Sequence, residues 1–329
     1  MDDDRASGGK PAAPPEPRGT AAAPFRRLLV PLDGSRLAEA VLGPAARLAD
    51  AYGATIVLLH VIERNAAPQV HGEPHLTATA ESEAYLAGVA ARLSSAGRDV
   101  RSHTHDVPVG DVARSIAAHA EEHGVDLTLL CTHGEGGLAE ALWGSIAQQV
   151  VQRSTRPVLL VRAGLGPRAA AAGAGPDFAP ESIMVPLDGT AVAESAIPPA
   201  ASLAARLGAE LRLVLVVGTV ATIPAGEMPA ATFLPRAARE LLDAEERQAA
   251  GYLEGLASGL RAAAIPAAAE VRRGDAATEL ASDAAEHADG LVVIATHGRA
   301  GLQAVWNRSV ADRLLRRTAA PVLLVPIVE

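Results

Sequence analysis

Short apolar runs alternate with amphipathic stretches along most of the chain, and the alternation predicts a strand–helix succession. Arg27 to Leu32 is a compact apolar run closed by Asp33-Gly34, the pattern of a strand ending in a turn. Ser35 then stands where a helix N-cap is expected, for a helix running to about Tyr52 with Gly53 just beyond its end. Thr55 to Ile62 is apolar without alternation, as in a strand covered on both faces. An irregular segment, Arg64 to Leu76, precedes a helical stretch reaching about Ala96. Val100 to Val107 predicts a strand, Asp111 to His123 a helix, and Asp126 to Thr132 another buried strand. A Gly-rich loop from Gly134 leads into a helix from about Ser145 to Arg153, and Pro157 to Arg162 makes a last strand. Such alternation implies right-handed crossovers and a parallel sheet covered by helices, an α/β fold of the doubly wound, Rossmann-like kind.

From Ser182 to Val328 the whole pattern recurs. Val30-Pro31-Leu32-Asp33-Gly34-Ser35 returns as Val185-Pro186-Leu187-Asp188-Gly189-Thr190. Thr132-His133-Gly134 returns as Thr296-His297-Gly298, and Pro157-Val158-Leu159-Leu160-Val161 as Pro321-Val322-Leu323-Leu324-Val325. Residues 27–62 slide onto 182–217 without a gap and agree at 16 of 36 positions. The expected organisation is a disordered tail (1–24), a first domain (25–163), a Pro- and Gly-rich linker (164–180) and a second domain (181–329). The second domain has a longer second helix, around Arg236 to Ala263, preceded by a Pro- and Ala-rich segment, Thr219 to Pro235, read as a mobile flap.

Composition narrows the function classes. Hydrophobic residues make up 49% of the chain but aromatics only 2%, so Ala, Val, Leu and Ile must pack the cores. The net charge is -9 with no run of Lys or Arg, which argues against nucleic acid as a partner. The scarcity of aromatics also removes stacking platforms for single-stranded bases. Cys131 is the one cysteine and has no partner for an intrachain disulfide, which fits a reducing compartment. No apolar run approaches the ~18 residues that span a bilayer. Met1-Asp2-Asp3-Asp4 lacks the apolar core of a secretory signal. The chain therefore reads as soluble and cytoplasmic, with no membrane partner.

In an open parallel sheet, ligands bind beyond the carboxyl ends of the strands, beside the switch in strand order. Three features of each half are expected there: the acid closing strand one (Asp33 or Asp188), the end of strand two (His60-Val61 or Leu215-Val216), and the glycine loop after strand four. Such a loop lets backbone N–H groups approach a phosphate at a helix N-terminus. The three together describe a nucleotide pocket. Each has a plainer alternative: Asp-Gly is a turn signal whose carboxylate can simply cap the next helix, and a Gly-rich junction can be only a turn.

On these residues the chain resembles a tandem universal stress protein, over nearly everything outside the tail and linker. Nucleotide-binding members of that family carry Gly-x2-Gly-x9-Gly-Ser/Thr after strand four. The first half has Cys131-Thr132-His133-Gly134, nine residues, then Gly144-Ser145; the second has Ala295-Thr296-His297-Gly298, nine residues, then Arg308-Ser309. The resemblance implies tandem domains of the adenine nucleotide alpha hydrolase-like fold binding ATP, with or without Mg, at one or two sites. Asp33 would contact ribose or phosphate, the backbone near Val61 would recognise adenine, and Gly134, Gly144 and Ser145 would hold the phosphates. Asp188, Val216, Gly298 and Ser309 are the second-half equivalents. The departures matter. Arg308 replaces the glycine that lets a phosphate lie against the backbone, and either blocks the phosphate or supplies a charge to it. Glu135 places a carboxylate where the second half has Arg299. The pair is therefore expected to be asymmetric, with the first domain the better site.

The remaining motifs point away from catalysis. His133 and His297 have no Ser–His–acid spacing around them, Gly144-Ser145 is followed by Ile146 rather than a Walker lysine, and no paired acids stand ready for two metals. The expectation is a stress-responsive adenine-nucleotide binder, sensor or regulator, not an enzyme, with slow ATP hydrolysis left open. A scaffold of the same fold that works through protein contacts is the alternative. An adenylating enzyme or flavin carrier is disfavoured by the absence of a Ser-Gly-Gly-x-Asp-Ser loop. No metal site is expected: His103 and His105 share one face of a strand, but no Cys or acid constellation joins them or His71 and His75, so a solvated edge is the reading. Cys131 reads as a core residue. The apolar Pro-Val-Leu-Leu-Val strands would be adhesive if left as edges, and the resemblance implies that they pair antiparallel to join the halves. Association of two chains into a homodimer is left open.

Overall fold

The computed structural model describes residues 25–64, 69–70, 73–108, 111–132, 145–163, 178–219, 235–297 and 310–327. The tail, most of the linker and residues 220–234 of the expected flap lie outside these. Five strands of the first half, β1 (Arg27–Pro31), β2 (Thr55–Glu63), β5 (Val100–Val107), β6 (Leu127–Thr132) and β7 (Val158–Arg162), pair in the order β5-β2-β1-β6-β7. The second half repeats this with β8 (Ser182–Leu187), β9 (Glu210–Val217), β10 (Ala267–Arg273), β11 (Leu291–His297) and β12 (Val322–Ile327), ordered β10-β9-β8-β11-β12. Within each half these five strands pair in parallel. The halves join where β12 meets β7 antiparallel, Val322 opposite Leu160 and Leu324 opposite Val158. One ten-stranded sheet results, and the two most adhesive strands lie at its centre.

The apolar runs of the sequence are these strands, and alternate residues feed two layers. Leu28, Val30, Ile56 and Leu58 face α1 (Leu42–Tyr52) and α2 (Thr79–Ser94); Ile183, Val185, Leu211 and Leu213 face α6 (Ile197–Leu207) and α7 (Pro235–Ala262), in one continuous core. Leu29, Val57, Leu59, Met184, Val214 and Val292 point to the other layer. There lie α3 (Val112–Glu122), α4 (Ser145–Arg153), α8 (Ala276–Glu286) and α9 (Val310–Arg317), with Ile116, Val150, Leu280 and Leu314. Tyr52 and Ser202 meet hydroxyl to hydroxyl at 3.0 Å, and Arg206 lies 5.6 Å from the Tyr52 ring centroid, so α1 and α6 also link the halves.

The structure departs from the sequence reading at the first helix. Ser35 Oγ does accept from a backbone amide, Ala38 N–H at 3.2 Å, but the turn it opens is 3-10 (Ala38–Val41), and α1 starts only at Leu42. Its end follows expectation, with Gly53 at φ 63 and, one repeat later, Gly208 at φ 74 after α6. The irregular segment after β2 holds a small antiparallel ladder, β3 (Gln69–Val70) with β4 (Glu73–Pro74). The short helix α5 (Ala191–Glu194) follows β8.

Helix α8 carries a side-chain cap. Asp275 accepts from Thr278 N–H at 3.1 Å, and its other oxygen takes Arg313 Nη1 at 2.8 Å. The Arg313 bond, followed by those from Thr278, holds the Asp275 carboxyl down to about 2. A carboxylate whose folded pKa is depressed stabilises fully above its unfolded value near 4, and that stability drains as pH falls towards 2. Asp275→Ala should cost about 1 kcal/mol at pH 7, because the side chain is partly solvated. In urea titrations the difference from wild type should shrink between pH 4 and pH 2; a loss independent of pH would contradict the account.

Candidate functional site

The strand order reverses between β1 and β6. From β1 the chain passes to α1 on one face, whereas the helix that follows β6 is α4 on the other, so a crevice opens beyond the carboxyl ends of these strands. Asp33 stands there, and Asp188 at the equivalent place of the second half, beyond β8 and β11. Asp33 Oδ1 accepts from Ser35 N–H at 2.9 Å and Ser35 Oγ at 2.7 Å; Asp188 Oδ1 accepts from Thr190 N–H at 3.0 Å and Thr190 Oγ1 at 2.6 Å. The same turn is thus built twice, and the hydroxyl then accepts from the amide three residues on. Asp33 is partly buried and Asp188 exposed.

Strand geometry brings Val61 and Val216 each to the crevice of its own half. Along β2, Thr55 N–H and Leu59 O bond towards β1, while Ile56 N–H bonds towards Asp99. Residues two apart share a direction, so the N–H and C=O of Val61 also point to the β1 side. The pairing of β1 with β2 stops at Pro31 opposite Leu59, with Leu32 N–H on Leu59 O as the last bond. Val61 therefore turns a donor and an acceptor towards the space past β1. Val216 does the same past β8, because Glu210 N–H bonds to Glu181 and β8 pairs with β9 only as far as Leu187 opposite Leu215. An adjacent donor and acceptor on a fixed strand is what the edge of a purine requires.

Ser145, exposed, is the first residue of α4. Gly134, Gly144, Gly298 and Ser309 lie outside the described residues, as do His133, Glu135, Arg299 and Arg308. Cys131 is at the end of β6, and burial, with the Asp33 charge adding, pushes its thiol up to about 12, so it is neutral and unreactive at pH 7. Ala295 occupies the corresponding place on β11.

In the first half, the segment after β4 folds over the turn. Leu76 packs on Gly34, which has φ +90, and a Cβ added there would fall 2.7 Å from Leu76 Cδ1. Arg36 N–H donates to Glu73 Oε1 at 3.1 Å. The fully buried His60 ring lies between carbonyls, Nδ1 2.8 Å from Leu32 O and Nε2 3.2 Å from Leu76 O. This cover is anchored to the ends of β1 and β2 at three points.

The sequence reading passed over a tyrosine and a glutamate near each aspartate, hydrogen-bonded to one another in the second half. Tyr252 donates to Glu194 Oε1 at 2.8 Å, and burial, then that bond, raises its pKa, with the Asp188 charge adding. Tyr85 is raised by burial, then by Glu39 and Asp33. Glu39 and Glu194 are matched in the gapless repeat, six residues after each aspartate, so the repeat itself held the signal.

Comparison with known proteins agrees with this architecture. The sequence model of the universal stress protein family matches residues 24–162 and again 180–326. The chain belongs to that family. The universal stress protein YxiE of Bacillus subtilis is 31% identical over 148 residues, 99% of its own length but 42% of this chain. Universal stress protein MJ0577 of Methanocaldococcus jannaschii is 25% identical over 157 residues, 95% of its length and 42% of this chain. Each relative therefore matches about one half. A solved universal stress protein of Archaeoglobus fulgidus covers 92% of this chain and 97% of its own at a TM-score of 0.65 and 16% identity, so the likeness of fold extends through both halves.

Proposed function

We propose that the chain is a stress-response protein that binds an adenine nucleotide, ATP with Mg, and acts by sensing or sequestering it, the first half being the better site. The observation that carries this reading is the pairing, in each half, of an outward donor–acceptor strand backbone (Val61, Val216) with a strand-end carboxylate (Asp33, Asp188) beside the switch in strand order. In this reading the Val61 backbone reads the adenine edge, Asp33 accepts from a ribose hydroxyl, and Gly134, Gly144 and Ser145 take the phosphates. Mg would offset the charge of the triphosphate in a chain of net charge -9.

The asymmetry rests on two differences. Arg308 replaces Gly144 in the second loop, and Asp188 is exposed where Asp33 is partly enclosed. The protein turns ATP over slowly or not at all, because no lysine follows the first loop and Ile146 stands there, 38% exposed. It acts in the cytoplasm; among the described residues no helix is long and apolar enough to cross a membrane. The test is calorimetric titration of the full chain with Mg-ATP, alongside Asp33→Ala and Asp188→Ala. Losing one charge-assisted bond costs about 1.5–3 kcal/mol, so Asp33→Ala should weaken binding roughly 10–100-fold and Asp188→Ala should leave it nearly unchanged. Equal effects would remove the asymmetry. Absence of heat in wild type would favour a scaffold acting through protein contacts, the reading that Cys131 and Ala295 support by replacing the loop's first glycine.

A further inference from the structure

At the outer edge of the first half, four histidines converge. His103 and His105 lie two apart on β5, the last strand of the sheet, and so share a face. His119 and His123 lie four apart at the end of α3 and so share one face of the helix. The fold lays these two pairs against each other. Ring centroids are 4.8 Å apart for His105 and His119, 4.9 Å for His103 and His123, 5.3 Å for His119 and His123, and 6.5 Å for His103 and His119. Four imidazoles bound to one tetrahedral ion at the usual nitrogen–metal distance of about 2.0–2.1 Å would place every pair of centroids about 5 Å apart. His105–His119, His103–His123 and His119–His123 already stand near that spacing, whereas the ring nitrogens do not yet converge and His103 must close on His119.

The second half shows what the same place holds when it is filled with charge. The gapless repeat matches Val57 with Arg212, and the strand registers (Ile56 opposite Val100, Leu211 opposite Ala267) carry His103 onto Glu270 and His105 onto Arg272. Helices α3 and α8 are each eleven residues long, which carries His119 onto Asp283 and His123 onto His287. There Arg212 and Arg272 bind Asp283 at 2.7 and 2.8 Å, and Arg272 binds Glu286 at 2.6 Å. The second half thus neutralises this corner with arginine–carboxylate pairs, whereas the first half lines it with imidazoles.

We propose that His103, His105, His119 and His123 form a binding site for one divalent transition-metal ion of the zinc type. Imidazole in its neutral form is a favoured ligand of such ions, and helix i,i+4 with strand i,i+2 supplies two chelating pairs. Burial, then the neighbouring His123 and Arg101, lowers the His103 pKa; burial, then His105 and His123, lowers that of His119 against the opposing pull of Glu122. His103 and His123 are stacked with 22° between their planes, so binding turns these rings about their side-chain torsions to aim a nitrogen of each inward. His103 is exposed and His123 only half-buried, so the turn leaves the core undisturbed.

The test uses the full chain without an affinity tag, titrated with ZnCl2 by calorimetry and with CoCl2 by visible absorption. One ion per chain, a raised melting temperature with Zn2+, and the intense absorption of tetrahedral Co2+ are expected. His103→Gln and His105→Gln alter exposed side chains and should leave the metal-free melting temperature unchanged. Each should weaken Zn2+ binding at least tenfold, a loss typical even of an outer-shell partner, and abolish the Co2+ bands. Glu286→Gln, at the equivalent corner of the second half, should bind Zn2+ as wild type does. Failure of Zn2+ to bind wild type, or binding unchanged in both histidine variants, would overturn the proposal.

Discussion

Asp283→Ala is expected to destabilise the protein by about 3–5 kcal/mol, because it strands a buried guanidinium. Asp283 is fully buried and accepts from Arg212 through both oxygens, Nη1 to Oδ2 at 2.9 Å and Nη2 to Oδ1 at 2.7 Å. Arg212 is itself 7% exposed and lies between Leu211 and Leu213 on strand β9; its remaining partners are Glu270 and His287. Burial opposes the Arg212 charge, and the bonds to Asp283 and Glu270 more than offset it, so the pKa is raised overall. Removing Asp283 leaves the desolvation penalty with half its compensation. Differential scanning calorimetry should record a melting temperature lower by roughly 5–15 °C. The first half shows the apolar alternative, with Val57 in the place of Arg212. The double variant Arg212→Val with Asp283→Ala should therefore be more stable than Asp283→Ala alone. A cost below about 1 kcal/mol for the single variant would mean that the network is solvated and not buried.

Gly34→Ala should destabilise the protein more than Gly189→Ala, although the two glycines are repeats of one another. Both have positive φ, +90 and +81, and an alanine pays about 1–2 kcal/mol in that region. Only Gly34 is covered: its Cβ would fall 2.7 and 2.8 Å from Leu76 Cδ1 and Cγ, whereas nothing lies within 4 Å at Gly189. Displacing Leu76 adds about 1–3 kcal/mol of overpacking, to a total of about 2–5 kcal/mol. Leu76→Ala on the Gly34→Ala background should recover part of the loss, since it relieves the contact and leaves the backbone strain. Equal costs at the two glycines would show that Leu76 does not bear on the turn.

Much of the fold could be read from the chain because the repeat fixed the phase. Val100–Val107 and Ser145–Arg153 carry the expected bounds, and the others shift by a few residues at their ends. The 3-10 turn at Ala38–Val41 was not visible, since a serine before an apolar stretch signals an α-helical N-cap equally well. Strand-end aspartates and the strand-two valines were legible as positions, but the direction of the Val61 and Val216 backbones depends on where β1 and β8 stop pairing. The histidine corner needed the fold: His103 and His105 are local on a strand, yet His119 and His123 meet them only through the α3 crossover. Arg212 was a further signal missed in plain view, a charge flanked by apolar residues inside Glu210–Val217, which can be buried only if the fold brings it an acid.

The central claim is an asymmetric pair of adenine-nucleotide sites, with the first half the better one. Calorimetric titration of the full chain with Mg-ATP, repeated on Gly144→Arg, tests it most directly, because that substitution gives the first loop the arginine that the second already carries. The account predicts one tightly bound ATP per chain in wild type and its loss in the variant. Two equivalent sites, or a single site untouched by Gly144→Arg, would contradict it.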